Sequence, residues 1–385
     1  MKDTAHHIAA VRSGASRLFA AAASLGLLAL ISGCSTVELV GGAPTDDVSL
    51  ASLSAEAREQ REAALARRPT VAALRAAYRR PAALPAGALA SPAVLALGEK
   101  LYNSKELSKG RGLSCASCHM RDAAWADLVT KPIADNGFPM RRRTQTLYDV
   151  AWSSAFLWDG TFDSLEGMVR GPIASPDIMG LSLDEMVDRL KGKPDFVAAF
   201  GAAYSDGGVT PESVSDALAA YMRTLRSPPT RFDRWVAGAD KALSPAELRG
   251  FQLFNGKANC VTCHSTWRFT DDGFRDIGLR ASLSDPGRGR QKPQIAVMAF
   301  AFKTPTLRGV AERPPYMHDG SIKTLEAVVE HYDRGGARRP SLSPDMFPLG
   351  LDAQEKSDLV AFMRALSPGP GASRAENAAE TEQVR

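Results

Sequence analysis

Features that mark nucleic-acid-binding, β-rich and membrane-spanning proteins are scarce in this sequence. The formal charge of the 385 residues is only +4, and the basic side chains are scattered apart from a short cluster at Arg141–Arg143. This argues against a nucleic-acid partner. No segment shows the alternation of apolar and polar residues that is typical of a half-buried strand. The main apolar run, Leu18–Ser32, is too short to cross a bilayer comfortably.

Cysteine is also scarce, and its placement leaves none for a structural disulfide. Four of the five cysteines fall in two pentapeptides, Cys-Ala-Ser-Cys-His at 115–119 and Cys-Val-Thr-Cys-His at 260–264. Cys-x-x-Cys-His is the attachment signature of a c-type haem. Positions i, i+3 and i+4 share one face of a helical turn, so two thiols can bond the porphyrin while the imidazole ligates its iron. We therefore predict two covalently bound haems c, held by Cys115, Cys118 and His119, and by Cys260, Cys263 and His264.

Two other interpretations of paired cysteines fit this sequence less well. A four-cysteine zinc site usually brings its pairs within roughly 15–20 residues of each other, whereas about 140 residues separate these two pairs. A thioredoxin-type pair lies at a strand–helix junction, and no βαβ pattern surrounds either motif. Each pair also carries its own histidine. Haem attachment is therefore favoured over zinc binding and dithiol exchange.

The fifth cysteine, Cys34, ends a segment with the layout of a bacterial lipoprotein signal. Arg12 and Arg17 precede the apolar run, and Ile-Ser-Gly-Cys at 31–34 resembles a lipobox. Residues 1–33 are predicted to be removed and Cys34 to be acylated, which would anchor the protein by lipid in the periplasm. Ser35 after the cysteine favours the outer membrane. The alternative is a plain signal peptide with a chance cysteine.

Proline-rich breaks divide the predicted mature chain into two haem domains with extensions. Residues 34–90 are predicted as an N-terminal tether and helical extension, 91–228 as the first domain, 229–367 as the second, and 368–385 as a disordered tail. Helix-start signals and apolar spacing predict helices over 92–102 and 211–225 in the first domain. The second domain is predicted to open with a helix at Pro245 and to close with one over 352–366.

The two domains are also related outside the haem motifs. Residues 144–169 and 304–329 align without a gap. The identities include Leu147/Leu307, Val150/Val310, Asp159/Asp319, Gly160/Gly320 and Glu166/Glu326. The sequence therefore indicates one haem module used twice, and the differences between the copies should indicate what each haem does.

The main difference lies just beyond this alignment, where Pro172 stands opposite Tyr332. Proline offers no donor atom to iron, whereas a tyrosinate does. The first iron is therefore expected to keep a vacant axial position, and the second to be closed by a side chain. No histidine lies between residues 120 and 263, so the first domain has no histidine to fill that position. Its methionines are possible ligands but are also ordinary core residues: Met120, Met140, Met168 and Met179.

Three further stretches carry a resemblance to a known family. They are Thr-Pro-Thr-Leu-Arg at 304–308, Pro-Tyr-Met-His-Asp-Gly-Ser at 315–321 and Pro-Leu-Gly-Leu at 348–351. With the two haem motifs, they make residues 91–367 resemble the bacterial dihaem cytochrome c peroxidase family. The resemblance implies an all-α fold of two cytochrome c-like domains. It also implies that the N-terminal haem binds peroxide and the C-terminal haem relays electrons.

Ordinary members of this family place a methionine at the position of Tyr332, and a tyrosine there resembles the MauG branch. Tyr332 is accordingly predicted as the distal ligand of the second iron, and a low reduction potential is expected because phenolate favours the ferric state. The alternatives are that Tyr332 is a packed core residue and that Met317 or Met346 ligates. His318 resembles a family histidine that lies near the second haem without ligating it, and a hydrogen-bonding role is expected.

The resemblance also suggests which residue moves protons during peroxide cleavage. The family places a glutamate after Trp-Asp-Gly, where Glu166 stands, so Glu166 is predicted as the distal acid–base residue. The alternative is a residue that only decorates its helix, since Glu326 occupies the same position in the second copy. A glutamine that the family usually carries just before Trp-Asp-Gly is missing. Phe156 and Leu157 stand there, which predicts a more apolar distal pocket.

Two features between the haems are also implied by the resemblance. The family holds a calcium ion partly through backbone carbonyls near Arg313 and Pro315, and partly through an asparagine of the first domain, for which Asn136 is a candidate. Trp152 and Tyr148 are candidate electron relays, although buried aromatic residues are more often core. A possible calcium ion is therefore added to the two haems.

These expectations describe a dihaem peroxidase that reduces hydrogen peroxide at the haem on His119 with electrons relayed by the haem on His264. Its donor would be a small periplasmic protein such as a monohaem cytochrome c or a cupredoxin. One alternative is a MauG-like enzyme in which peroxide drives oxidation of residues on a partner protein. Another is a two-haem electron carrier without enzymatic activity, which predicts two six-coordinate irons.

Overall fold

Helices begin where the capping residues of the sequence predict them. Ser91 precedes the helix that starts at Pro92, and its side-chain oxygen accepts a hydrogen bond from the Val94 amide. The computed structural model of the chain describes residues 70–368. The predicted signal, Cys34, most of the N-terminal extension and the tail after Pro368 therefore lie outside the described residues. Within residues 70–368, every helix is too short or too polar to span a bilayer.

Helices also make up most of the regular structure in the first half of the described chain. The helices are α1 Val71–Ala77 in the extension, then α2 Pro92–Asn103, α3 Cys115–Cys118, α4 Leu165–Ala174, α5 Leu183–Lys191, α6 Pro194–Ala203 and α7 Pro211–Arg223. Short 3-10 turns lie at Lys105–Leu107, Arg121–Ala123 and Val150–Trp152. The predicted opening and closing helices of the first domain are confirmed as α2 and α7.

The second half repeats this plan with fewer helices and more turns. Its helices are α8 Arg231–Val236, α9 Pro245–Phe254, α10 Leu325–Asp333 and α11 Ala353–Ala365. Two short antiparallel strands, β1 Phe274–Arg275 and β2 Phe302–Lys303, pair Phe274 with Lys303. The 3-10 turns are Asp240–Ala242, Cys260–Thr262, Arg280–Ser284, Arg288–Arg290, Ala296–Met298 and Val310–Glu312. The helices predicted at Pro245 and over 352–366 are confirmed as α9 and α11, but α8 precedes α9, so the helix at Pro245 is not the first of residues 229–367.

Each half of the described chain has its own apolar core. The first core contains Leu97 of α2 and Phe200 of α6, both inaccessible or nearly so to solvent. The second is rich in aromatic rings, with Phe232, Phe251 and Phe362 in mutual edge-on or tilted contact. Such pairs add to the stabilisation from apolar burial alone. The two cores lie on either side of the proline-containing break at residues 227–229.

The end of the N-terminal extension is fixed in the second core. Tyr78 is buried, its ring stacks on Phe269 with centroids 5.0 Å apart, and its hydroxyl donates to the Asn255 side-chain oxygen at 2.9 Å. The Arg80 guanidinium donates to the Ser227 carbonyl at the break between the cores. The extension therefore contributes to the core of the second half although it precedes the first in sequence, which the sequence did not indicate.

The same close helix crossing occurs in both halves. A Cβ added to Gly98 of α2 would lie 2.1 Å from the Ala217 carbonyl oxygen of α7. A Cβ added to Gly250 of α9 would lie 2.0 Å from the Asp358 carbonyl oxygen of α11. The opening and closing helices of each half can approach this closely only because glycine lacks a side chain. The duplicated module therefore keeps its framework even where its haem environments differ.

A Gly98→Ala substitution is expected to lower the free energy of unfolding by about 2–3 kcal/mol, because the new methyl group must push two packed helices apart. Chemical denaturation of the haem-loaded protein, followed by circular dichroism, measures this change. Gly201→Ala is the matched control, since Gly201 lies in α6 and an added Cβ meets no atom within 4 Å. If the two variants were equally stable, the close approach of α2 and α7 would not require a glycine at position 98.

Candidate haem sites

The first Cys-x-x-Cys-His motif faces a cavity of about 430 Å³. The motif forms the single-turn helix α3, where the Ser114 amide donates to the Ser117 hydroxyl at 3.0 Å. The His119 amide donates to the Cys115 carbonyl at 2.9 Å, which holds the histidine beside the first cysteine. Cys115, Cys118 and His119 all line the cavity. The structure therefore brings the three predicted attachment residues together.

The second motif faces a smaller cavity of about 170 Å³. Cys260 begins a 3-10 turn, and the His264 amide donates to the Cys260 carbonyl at 2.9 Å, as in the first motif. Cys260, Cys263 and His264 line this cavity together with Tyr332. The second set of predicted attachment residues is therefore also brought together.

Both motif histidines are held in the tautomer that iron ligation requires. His119 Nδ1 lies 3.2 Å from the Trp125 carbonyl oxygen, and His264 Nδ1 lies 2.8 Å from the Phe269 carbonyl oxygen. A carbonyl can only accept, so each Nδ1 carries the proton and each Nε2 keeps its lone pair for a metal. Burial lowers the pKa of His119 and lowers that of His264 to about 4. Both imidazoles are therefore neutral at neutral pH, as a histidine must be to ligate a metal.

The four motif thiols are unsuited to dithiol redox chemistry. Burial raises the pKa of Cys115 and Cys260 to about 12, and that of Cys118 and Cys263 to about 11. A reactive exchange cysteine needs a lowered pKa, because the thiolate is the nucleophile. The thiols and histidines thus fit a covalently bound porphyrin better than a thioredoxin-type site.

Pro172 and Tyr332 occupy the same position on two equivalent helices. Pro172 lies in α4, which begins at Leu165, and Tyr332 lies in α10, which begins at the aligned Leu325. Pro172 lines the first cavity, and Tyr332 lines the second. The larger volume of the first cavity agrees with the absence of a bulky donor side chain at Pro172.

The second cavity contains more than one possible iron ligand. Tyr332 lines it, and burial, followed by the neighbouring Cys263 and Cys260, raises the pKa of the phenol. A phenol in such surroundings ionises only when a cation compensates the charge, as a ferric iron would. Met317 and Met346 line the same cavity. Tyr332 as the ligand therefore stays a prediction.

His318 is buried beside the second cavity, where the sequence placed it. Its ring stacks on Phe302 with centroids 3.4 Å apart and meets Trp158 edge-on at 6.3 Å. Its carbonyl accepts a hydrogen bond of 2.8 Å from the Arg143 amide. Burial lowers the pKa of this imidazole to about 4, so it is neutral near pH 7. His318 connects the second cavity to the first domain by packing as well as by a backbone hydrogen bond.

Glu166 is not among the residues that line the first cavity. Its carboxylate pairs with Arg223 at the end of α7 at 2.6 Å, and both side chains are partly exposed. The aligned Glu326 pairs in the same way with Arg364 of α11, at 2.7 Å. The second copy repeats this ion pair, so the pair joins two helices in both halves of the module. The distal acid–base role of Glu166 stays a prediction.

A different carboxylate, that of Asp177, lines the first cavity. The loop after α4 folds back on its own helix, since the Met179 amide donates to the Pro172 carbonyl at 3.2 Å and the Ile178 amide to the Ser175 carbonyl at 3.0 Å. Asp177 belongs to this loop and is exposed to solvent. The other carboxylates that line this cavity, Asp159 and Asp272, are held in ion pairs. Asp177 was missed because no spacing rule links it to a haem motif.

The two apolar residues that stand in place of the family glutamine lie in the first cavity, and a more apolar distal pocket stays a prediction. Phe156 and Leu157 both line this cavity, together with Pro172 and Ile173. Phe156 is held by paired backbone contacts with Phe162. Apolar walls exclude water and strengthen the influence of the few polar groups that remain.

One wall is common to both cavities. Six residues line both of them: Arg143, Trp158, Lys303, Pro305, Thr306 and Arg313. The Trp158 indole donates to the Arg143 carbonyl at 2.8 Å, and the Trp158 carbonyl accepts from the Lys303 amide at 2.7 Å. Of the two predicted relays, Tyr148 lines only the first cavity, and Trp152 is not among the lining residues of either. Trp158 is therefore better placed between the haem sites than Trp152 or Tyr148.

The residues proposed for calcium are engaged elsewhere. The Asn136 amide group donates to the Pro176 carbonyl at 2.9 Å, and its oxygen accepts from the Phe138 amide at 2.9 Å. Near the carbonyls of residues 313–315 lie two buried guanidinium groups, those of Arg143 and Arg313. This donor set does not resemble an oxygen cage for a divalent cation.

Comparisons with known proteins agree with this architecture. The family model described as Di-haem cytochrome c peroxidase matches residues 92–241, and the Cytochrome c model matches residues 248–367. Methylamine utilization protein MauG of Methylorubrum extorquens is 45% identical over 78% of this chain and 86% of its own. The protein of the same name from Methylophilus methylotrophus is 42% identical over 76% of this chain and 88% of its own.

Solved structures show the same fold. A MauG-like protein associated with microbial copper homeostasis superposes with a TM-score of 0.69 and 27% identity, over 76% of this chain and 94% of that protein. The two matched domains imply two c-type haems, and the all-α prediction is confirmed. The chain belongs to the dihaem cytochrome c peroxidase/MauG family of oxidoreductases.

Proposed function

We propose that this protein uses hydrogen peroxide as an oxidant at the haem on His119 and supplies electrons through the haem on His264. The observation that carries this proposal is the unequal pair Pro172 and Tyr332 at equivalent helix positions facing the two cavities. Each haem, held by its two cysteines and its histidine, would supply an iron that exchanges electrons, and the haem on His119 would supply the chemistry that acts on peroxide. The remaining steps depend on side chains of this chain.

Peroxide reduction requires proton transfer as well as electrons. Cleaving the O–O bond of one hydrogen peroxide consumes two electrons and two protons and yields two waters. A nearby base must take the proton from one oxygen and return it to the leaving oxygen. We assign this role to the Asp177 carboxylate, because it lines the first cavity, as Pro172 does, while Glu166 pairs with Arg223. Asp177 is exposed to solvent, so it can exchange protons with bulk water.

An Asp177→Asn variant is expected to react with peroxide roughly 100-fold more slowly than the parent protein, because the amide cannot accept the proton. Stopped-flow absorption of the ferric protein mixed with peroxide gives this second-order rate constant. Glu166→Gln is the matched control and is expected to react at a rate close to that of the parent. The opposite ranking of the two variants would restore Glu166 as the acid–base residue.

Electrons would cross from the second site to the first through the common wall. Trp158 is the aromatic residue of that wall that lines both cavities, and its ring contacts His318 beside the second site. A small periplasmic donor, such as a monohaem cytochrome c or a cupredoxin, would deliver them to the second haem. Acylation of Cys34 would hold the enzyme at the membrane near such donors.

A second candidate function is favoured by Tyr332 and by the two MauG relatives. In a MauG-like reaction, peroxide removes electrons from residues of a partner protein, and no small donor is consumed. A phenolate ligand suits this reaction because it stabilises oxidised iron. Steady-state turnover of peroxide with a reduced small cytochrome supports the first function. Absence of turnover together with rapid reaction of the ferric protein with peroxide supports the second.

A ferric spectrum distinguishes both functions from a simple electron carrier. An enzyme of either kind requires one high-spin or five-coordinate iron and one low-spin iron. Two identical low-spin signals that do not change when peroxide is added would contradict both proposed functions.

A further inference from the structure

The wall between the two haem sites contains two buried positive charges where related proteins are expected to hold a calcium ion. The side chains of Arg143 and Arg313 are almost wholly inaccessible to solvent. Both line the first and the second cavity. Buried charges are costly unless they are paired or perform a role, so two of them in one wall require an explanation.

Arg143 contacts the backbone that would be expected to bind the metal. Its Nη2 donates to the Asp127 carbonyl at 2.6 Å and lies 3.5 Å from the Pro314 carbonyl oxygen. Its Nε lies 3.9 Å from the Asp127 carboxylate and is buried without a hydrogen-bond partner. A guanidinium group therefore already lies against the backbone segment that the resemblance assigns to calcium.

Arg313 adds a second charge to this position. Its Nη2 donates to the Thr306 carbonyl, and its Nε is buried without a partner. Among the ion pairs of residues 70–368, none includes Arg313. Burial and the neighbouring charge of Arg143 lower the pKa of Arg313 to about 10, which still leaves the group charged at neutral pH. The two guanidinium groups repel each other, and both would repel an added divalent cation.

We propose that Arg143 and Arg313 replace the calcium ion between the haem domains, so that this enzyme needs no bound metal apart from its haem irons. The guanidinium groups provide fixed positive charge facing both cavities. The Asp127 carboxylate partly balances Arg143, and haem propionates, which are anions of the kind that pairs with buried arginine, would supply further negative charge. Because the cations are covalent parts of the chain, they cannot be lost by dilution or chelation.

The test uses the complete dihaem protein purified without added metals. Calcium content is measured by elemental analysis, and the ferric spectrum and the thermal unfolding midpoint are recorded with 5 mM EGTA and with 1 mM calcium chloride, concentrations on the order of those that load extracellular calcium sites. We expect less than one calcium per several chains, with the spectrum and midpoint unchanged by either addition. Loss of the parent spectrum or midpoint in EGTA, with recovery on adding calcium, would overturn the proposal.

A double variant, Arg143→Asn with Arg313→Thr, examines the replacement directly. Removing both charges and adding an amide oxygen is expected to create sensitivity to calcium, seen as a higher unfolding midpoint with calcium than with EGTA. Arg141→Asn is the control, because it removes one positive charge from an exposed neighbour and should leave the protein indifferent to calcium. A folded double variant that ignores calcium would overturn the proposal. If the double variant does not fold, the calcium content of the parent protein and its response to EGTA decide whether the proposal holds.

Discussion

A Pro172→Met variant is expected to react with hydrogen peroxide roughly 100-fold more slowly than the parent protein, because a ligand bound by about 3 kcal/mol must first dissociate. Pro172 faces the first cavity from the same position of α4 that Tyr332 occupies in α10. A methionine there can place its sulfur on the first iron, since ordinary members of the family ligate iron from the equivalent position of the second domain. Stopped-flow absorption measures the rate, and the ferric spectrum should change from high-spin to low-spin.

Pro172→Ala is the control for this experiment. It removes the proline ring without adding a donor atom, so its first iron should stay accessible and its rate should remain near that of the parent. A Pro172→Met variant that keeps both the parent rate and a high-spin signal would show that α4 does not face the iron.

Replacing Tyr332 is expected to produce the largest change in reduction potential. A Tyr332→Met variant should raise the potential of the second haem by on the order of 100 mV or more, since axial ligands move haem potentials over about 0.8 V. A thioether favours ferrous iron, whereas a phenolate favours ferric iron. Spectroelectrochemical titration measures the shift. Tyr332→Phe should instead alter the ferric resonance spectrum by removing the oxygen ligand.

Met317 and Met346 provide the controls, because both line the second cavity with Tyr332. Met317→Leu and Met346→Leu should leave the spectrum and potential of the second haem close to those of the parent. If either methionine variant changes the spectrum while Tyr332→Phe does not, the iron is ligated by that methionine and Tyr332 is a packed residue.

Local motifs predicted the haem sites well because the chemistry is confined to a few neighbouring residues. Cys115, Cys118 and His119 follow one another within a single turn, so their meeting in one cavity needs no knowledge of distant contacts. The comparison of Pro172 with Tyr332 also needed only the sequence, because the two copies of the module can be aligned with each other. In both cases, spacing along the sequence was enough to relate the residues to one another.

Features that depend on folding back of the chain could not be predicted in this way. Asp177 lines the first cavity from a loop that returns onto α4, and Glu166 pairs with an arginine in α7, more than fifty residues later. The roles of Arg143 and Tyr78 likewise depend on contacts with segments of the other half. Spacing within the sequence does not indicate contacts between residues so far apart, so these contacts became visible only in the folded structure.

The wall shared by the two cavities also bears on how the protein matures. Trp158, Arg143 and Arg313 each face both pockets, so attaching one porphyrin completes only half of their surroundings. A half-loaded chain would leave buried charge and an aromatic ring beside an unfilled cavity, which lowers stability and raises the unfolded fraction that proteases degrade. Biogenesis should therefore favour chains that acquire both cofactors over chains that acquire one.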